Sequence, residues 1–408
     1  MKYYYWHHQL TPFLLAPLLL LTFLGCEPCR ARPIVSNDPT AAALNYHNLL
    51  DEATKHAQND QLLEAARKIR RAMNIGTDTT TPTPTAAAAA TTRDLDASHE
   101  RILQLADRIE KTILDISSTS PDPKIWTKHK ESEDNHRTNG KQQRDAIHHY
   151  YRLCNQKLTS RIEFLIDKSL LVPILAVLSE TELFDTWIPR WKFPPVGVSQ
   201  VRKLAQTGRT NQILHAELDI PMKRDIIFVS TGVDDLEGSG LFALHLGTCP
   251  EDEEIQPSGI HLPPPEHGVV RVDFEGCFVF RKCPRNHPLF LDRIHNEKTQ
   301  QQQQQTKESK TTHIIINENN NSNNGNDNTM VLVSFSMFAD PKISVFVPQW
   351  IINFVIRVAI VQLFRVFLNV AEDVHAGKRP DHTAAIAKKR EEIYDWIDER
   401  VNAMLRMK

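Results

Sequence analysis

Five groups of residues in this chain are of types that ligate metals, attack substrates or exchange protons. Cys26 and Cys29 form a Cys-x-x-Cys pair, the spacing of a redox or zinc half-site, yet no second Cys pair or His pair follows at metal spacing. Cys154, Cys249, Cys277 and Cys283 are scattered; they could form disulfides in an oxidising lumen, and buried free thiols are the favoured state. His148, His149 and His245 have no carboxylate or cysteine at a fixed spacing, so they read as satisfied or exposed histidines. The acidic run Glu251 to Glu254 reads as a wet loop. Arg224 and Asp225 are adjacent opposite charges, expected to pair and steady a turn. No nucleophile elbow, phosphate loop, His-Glu-x-x-His or pair of catalytic carboxylates occurs. The expectation is therefore no enzyme activity, no cofactor and no metal.

Charge narrows the partners. Lys+Arg number 48 against Asp+Glu 50 in 408 residues, and a near-neutral chain lacks the basic excess of a nucleic-acid binder. The start, "MKYYYWHHQLTPFLLAPLLLLTFLGCEPCRAR", has one Lys, an apolar stretch from Phe13 to Gly25 and small residues after it. Residues 1–31 are thus expected to be a secretory signal peptide, with an uncleaved membrane anchor as the rival, because Pro17 interrupts the stretch. The expected location is the secretory pathway, lumenal or secreted, or else a membrane tether.

The elements follow from periodicity. Residues 38–73 carry two helical patterns broken at Asn59-Asp60, a helical hairpin. Residues 77–92, "TDTTTPTPTAAAAATT", are a low-complexity linker. A helix over 93–118 aligns Leu95, Ile102, Leu105, Ile109, Ile113 and Ile116 on one stripe. From Trp126 the period becomes two. "TSRIEFLID", "NQILHAELDI", "RDIIFVST", "GLFALHL", "GVVRVDFEGCFVFRK" and "MVLVSFSM" predict a many-stranded, mostly antiparallel sheet with one wet and one apolar face. Within it, residues 284–329 hold six consecutive Gln and an Asn-rich run, expected as a disordered insertion. Its Asn320 sequon with Ser322 would be glycosylated only in a secretory chain. A last helix over 384–406 has Ile386, Ile393, Ile397, Val401 and Met404 on one stripe.

Between them lies "VPQWIINFVIRVAIVQLFRVFLNV". Its length would suit a membrane span. Asn353, Arg357, Gln362, Arg365 and Asn369 interrupt it, and each Arg at a bilayer centre costs roughly 2.5–3.5 kcal/mol. On a regular helix these face away from Ile351, Phe354, Val355, Val358 and Val361, which predicts a helix packed on a core.

The stretches "SLLVPILAVLSETELFDTWIPRW", "HAELDIPMKRDIIFVST" with Arg224-Asp225, "GVVRVDFEGCFVFR" and "ADPKISVFVPQWIINFV" resemble, in order and pattern, the START (steroidogenic-acute-regulatory-related lipid-transfer) family over residues 126–376. Ile226 stands where the family often has Phe, Ile343 and Ser344 where Gly is common, and the Gln/Asn insertion is extra. The resemblance implies an α+β helix-grip fold: a curved antiparallel sheet wrapped around a long C-terminal helix, preceded by a helical region. It implies one lipid (phospholipid, sterol or sphingolipid) in an internal tunnel, exchanged at a membrane surface. The implied gate is the C-terminal helix, with Trp350, Phe354, Val358, Val361 and Phe364, and the 219–225 loop, with Arg224 and Asp225. Two other readings stand beside it: a helix-grip enzyme on a hydrophobic substrate, or an interaction module whose helical appendages, 38–73 and 384–406, dock a protein partner.

Overall fold

A computed structural model of the chain describes residues 39–74, 95–117, 121–128, 147–154, 157–219, 223–249, 262–308, 330–340 and 349–407. The expectations for residues 1–31, the 77–92 linker, the 251–254 run, Asn320 and the middle of the 219–225 loop fall outside the described residues.

The strands are β1 (Thr127–Lys128), β2 (His148–Cys154), β3 (Lys157–Asp167), β4 (Arg190–Lys192), β5 (Pro195–Gln206), β6 (Gln212–Asp219), β7 (Arg224–Asp235), β8 (Leu241–Thr248), β9 (Val270–Arg271), β10 (Asp273–Lys282) and β11 (Met330–Asp340). The helices are α1 (Pro39–Gln58), α2 (Leu62–Asn74), α3 (Ala97–Ser117), α4 (Leu171–Ser179), α5 (Leu236–Ser239), α6 (Pro288–Glu308), α7 (Gln349–Phe354), α8 (Ile360–His375), α9 (Pro380–Lys388) and α10 (Asp395–Arg406). The strands form one sheet in the order β1-β2-β3-β11-β10-β8-β7-β6-β5-β4, with β9 added on β7. Every pairing is antiparallel except the two-residue β7–β9 contact. The first and last long strands, β3 and β11, lie side by side inside the sheet. The long helix α8 packs across one face, burying Phe364, Phe367, Val370, Ala371 and Val374 against Ile162, Phe164, Phe278, Phe280, Val331, Val333 and Phe335. This is the helix-grip α+β architecture.

The other face is covered over β7, β8 and β10, which corrects in that part the expected division into one solvated and one apolar side. Leu62, Leu63 and Ala66 of α2 and Ala106, Ile109, Ile113 and Ile116 of α3 pack on Val233, Leu241, Ala243, Cys277 and Val279. The N-terminal helices are thus a second layer on the sheet. The C-terminal stripe is likewise absorbed: Tyr394, Ile397, Val401 and Met404 belong to the same apolar cluster as α8.

Several charged groups under these layers are paired. Arg161, 2% exposed, donates to Glu163 and to the carbonyls of Asp115 and Ile116 at the end of α3, while Arg281 reaches Ser117 O at 3.2 Å. Cations at a helix C-terminus meet its unpaired carbonyls and its negative dipole end. Burial opposes ionisation of Glu163, but the neighbouring His287, 3.6 Å away, and the hydrogen-bonded Arg161 outweigh it and hold the carboxyl below its ordinary range.

The Gln-rich insertion departs from its expected disorder over its first half. Residues 288–308 form α6, whose Leu289 and Phe290 are buried with Leu165, Cys283, Met330 and Leu332. A packed first turn removes the nucleation cost, and Gln is a good propagating residue.

Candidate functional site

The apolar run that raised the question of a membrane span lies in α7 and α8, which are joined by a π-helical turn over Val355–Ala359. Among the described residues no helix is long and apolar enough to cross a membrane. In the π turn the N–H of Ile360 bonds Val355 O, five residues back. One extra residue per turn resets the phase of everything after it. The buried positions jump from Ile351 to Ile356, then follow Ala359, Ile360, Val361, Phe364 and Phe367.

The five helix residues expected at the gate are therefore divided. Val361 and Phe364 are buried at 5% exposure each, Phe354 is half-buried, and Val358 (46%) and Trp350 (50%) are exposed. Val358 belongs to the buried stripe on an ideal wheel and leaves it because of the π turn.

Beneath α8 the apolar side chains are fully buried on one side and half-buried on the other. Phe278 and Phe335 lie 4.2 Å apart between centroids and Phe335 and Phe364 5.4 Å apart, both tilted, and Phe364 meets Phe367 edge-on at 6.1 Å. These close the β3–β11–β10 side. Over β8 the pattern reverses. Phe242, Leu244 and Leu246 face the helix side, in register with Phe280, Phe278 and Gly276, and are only half-buried. Their outward-facing neighbours Leu241, Ala243 and His245 are buried. Phe228 and Phe274, 6.1 Å apart, continue the half-buried apolar surface toward β7. Three buried polar atoms near this surface have no hydrogen-bond partner: Trp187 Nε1, Gln212 Oε1 and Thr181 Oγ1. Gln212 Nε2 donates to Ser179 O at 3.3 Å, two residues from Thr181, and the Trp187 ring lies 5.9 Å from Phe367.

At the rim, Trp350 stacks on Phe193 at 5.9 Å and 22°, and Phe354 meets Trp191 edge-on at 6.0 Å. Phe193 is 82% exposed. Neither Trp191 nor Phe193 stood out in the sequence, and the signal available was an aromatic pair beside Pro194-Pro195 in "RWKFPP".

Arg224 and Asp225 do not sit as a mutual pair. Successive strand residues point to opposite faces, and both are buried, at 4% and 3% exposure. Asp225 takes Arg271 Nη2 at 2.6 Å and His215 Nε2 at 3.1 Å on the outward face. Arg202 Nη2 lies 3.1 Å from His215 Nδ1. Since Arg only donates, Nδ1 accepts and Nε2 carries the proton given to Asp225. Arg224 shares the helix-side face of β7 with Ile226 and Phe228, and its Nη1 donates to Lys223 O at 3.3 Å. A charged cleft of about 180 Å³ borders both residues, with His215, Glu217, Lys223 and Glu266 in its wall. A second, of about 310 Å³, lies between Arg108, His245, Arg271, Asp273 and Glu275.

Cys249, Cys277, Cys283 and His148 are all buried. Cys249, Cys277 and Cys283 are free and buried, and burial pushes the Cys277 and Cys283 thiols up to about 12. His148, beside Lys128 and Asp292, is lowered to about 4 by burial and then by Lys128, so it is neutral at physiological pH. Among the described residues no group of His, Cys, Asp and Glu could hold a metal ion.

No family model matches the chain, and no curated protein matches it in sequence. Among solved structures, human STARD10 is similar at 9% identity and a TM-score of 0.39, over 71% of this chain and 84% of that one. A STAR-related lipid transfer protein fragment from Xanthomonas axonopodis is similar at 15% identity and a TM-score of 0.36, over 60% of this chain and 98% of that one. Human StAR-related lipid transfer protein 5 gives 11% identity and a TM-score of 0.38, over 67% and 97%. The helix-grip assignment rests on strand order and packing, to which likeness at this level adds nothing.

Proposed function

We propose that this protein binds a lipid in the groove between α8 and the helix side of β6, β7, β8 and β10, and carries it between membranes. The observation behind this reading is the reversed burial of β8. Apolar side chains that face inward beneath a helix normally lose nearly all their exposure. Phe242, Leu244 and Leu246 retain part of theirs while their outward-facing neighbours Leu241, Ala243 and His245 are buried. A half-open apolar groove accepts an acyl chain or sterol ring system.

Several hundred Å² of buried lipid surface recovers on the order of 10 kcal/mol at about 25 cal/mol per Å². That offsets removal from an equally apolar bilayer, so the protein's contribution is shielding in transit. A polar head in the groove needs partners, since an unpaired one costs roughly 1–3 kcal/mol. Gln212 Oε1 and Thr181 Oγ1 can accept from a lipid hydroxyl, and Trp187 Nε1 can donate to an oxygen. The C-terminal helix is the gate in this reading. Trp350 and Phe193 form the surface that enters a membrane interface, with Arg357 and Arg365 exposed on the same helix for anionic head groups.

Lipid uptake from vesicles tests it. The protein should remove fluorescent phospholipid, sterol or ceramide from donor vesicles with a preference for one class, and Leu244→Trp, which fills the groove, should cut uptake at least tenfold. Uptake by the Leu244→Trp variant equal to the parent's, with the protein folded, would place the lipid elsewhere.

A further inference from the structure

The cavity of about 310 Å³ lies between Arg108 of α3, Arg271 of β9 and the outward-facing residues His245, Gly247, Asp273 and Glu275 of β8 and β10. Its size is at the lower end of small-molecule pockets, roughly 300–1,000 Å³. Gly247 supplies the room. It stands in register between Val229 of β7 and Glu275 of β10. A Cβ there would lie 2.8 Å from Cε1 of His245, a residue only 2% exposed.

Both signs of charge line this cavity. Arg271, 8% exposed, gives Nε and Nη2 to Asp225. Among the described residues its Nη1 has no hydrogen-bond partner, and neither has the guanidinium of exposed Arg108. On the other wall stand Asp273 and Glu275, alternate residues of β10 on one face. His245, 3.5 Å away, and then Arg108 and Lys111 outweigh burial and hold the Glu275 carboxyl below its ordinary range. Among the described residues neither guanidinium forms a salt bridge with Asp273 or Glu275. Opposite charges thus share one cavity without meeting.

We infer that this cavity binds a small zwitterion, an anionic group and an ammonium a few bonds apart, and that a free α-amino acid with an apolar side chain suits it best. An anion alone would face Asp273 and Glu275, and a cation alone would face Arg108 and Arg271. A ligand with both poles satisfies both walls: Arg108 and Arg271 Nη1 donate to its carboxylate, and Asp273 and Glu275 accept from its ammonium. Its apolar part lies against Phe338, which lines the cavity in register with Glu275. A zwitterionic lipid head group presents the same two poles. The site stands apart from the carrier reading, and its test needs no lipid transfer.

Calorimetry of the full chain with L-phenylalanine and, separately, O-phosphoethanolamine tests this. At least one should bind with a Kd below about 1 mM. L-phenylalanine alone would identify an amino-acid site, and O-phosphoethanolamine alone a head-group site. Arg108→Gln and Glu275→Gln, at an exposed and a half-buried position, should each weaken binding by about tenfold or more. The one-pole analogues of whichever ligand binds, phenylacetate and phenethylamine or inorganic phosphate and ethanolamine, should bind weaker by a similar factor. A one-pole analogue that binds as well as its parent would show a site for a single charge and overturn the inference. So would binding of neither zwitterion, or binding undiminished in both variants.

Discussion

Arg400 of α10 holds Asp234, at the end of β7, through Nε at 2.6 Å and Nη2 at 2.8 Å. Around this pair α2, the turn before it and α10 meet one end of the sheet. Arg67 of α2 donates to Asp235, Arg209 lies 4.0 Å over the Trp396 ring and donates to Asp60, and Asp60 O accepts Asp234 N. Thr210 also donates to Asp60, and it fits because residue 232 is Gly; a Cβ there would lie 2.5 Å from Thr210 Oγ1. The N-terminal helices and α10 pack on the sheet as parts of its covering layers.

Arg400→Ala leaves the buried Asp234 carboxylate without its bidentate cation. Removing one member of a buried pair costs roughly 3 kcal/mol. Urea unfolding should show that loss at unchanged m-value, and Asp234→Asn/Arg400→Ala should recover a part of it. A change under about 0.5 kcal/mol, typical of a surface pair, would show that this contact does not hold α10.

Deleting residues 39–117 would uncover Val233, Leu241, Ala243, Cys277 and Val279 together. The truncated protein is expected to aggregate or to bind a hydrophobic dye strongly, since contiguous apolar patches on soluble monomers are normally small. A soluble, monomeric and equally stable 121–408 fragment would contradict the two-layer account.

Acid should weaken the fold before it protonates ordinary carboxylates. His148 has a folded value of about 4 against 6.5 when exposed, by burial and then by Lys128. The folded state therefore holds this ring neutral while the unfolded chain takes up a proton. That stability is complete above about pH 6.5 and is lost as the pH falls toward 4. Burial, followed by Arg379, lowers His382 too and adds in the same direction. The urea midpoint should fall from pH 7 to pH 4.5, less steeply in His148→Gln; identical slopes in the two proteins would exclude His148 as a source.

Phe193 and Trp350 are 82% and 50% exposed, so Phe193→Ser/Trp350→Ser should leave the unfolding midpoint nearly unchanged. Vesicle binding should weaken by about tenfold or more, the equivalent of roughly 1.4 kcal/mol of lost aromatic insertion. Unchanged binding in a co-sedimentation assay would move the membrane contact to another surface.

Strand placement was legible wherever alternation is regular, as in β3, β6, β8, β10 and β11. β5 was not, because register shifts between Val198 and Gln200 and between Lys203 and Ala205 break its period of two. The covered outer face was hidden by its own composition: Ala243, Cys277 and Val279 alternate with larger apolar residues and are flanked by Glu275 and Arg281, which resembles a solvated side. Glu163 and Arg161 looked solvated for the same reason, and only their partners in α3 and at His287 explain their burial. At the candidate site, Val361 and Phe364 followed from helical spacing, whereas Val358 did not, since no sequence pattern announces the extra residue of a π turn. Arg224 and Asp225 were read as partners of one another because adjacency in sequence is visible and the 46-residue separation of Asp225 from Arg271 is not.

The central claim is that the groove holds lipid. The most direct measurement is mass spectrometry of the lipids extracted from the full chain after expression in eukaryotic cells and purification without detergent. The account predicts close to one lipid per protein, dominated by one class and depleted in Leu244→Trp. A protein that is folded, reproducibly free of lipid and unable to extract any from vesicles would contradict it.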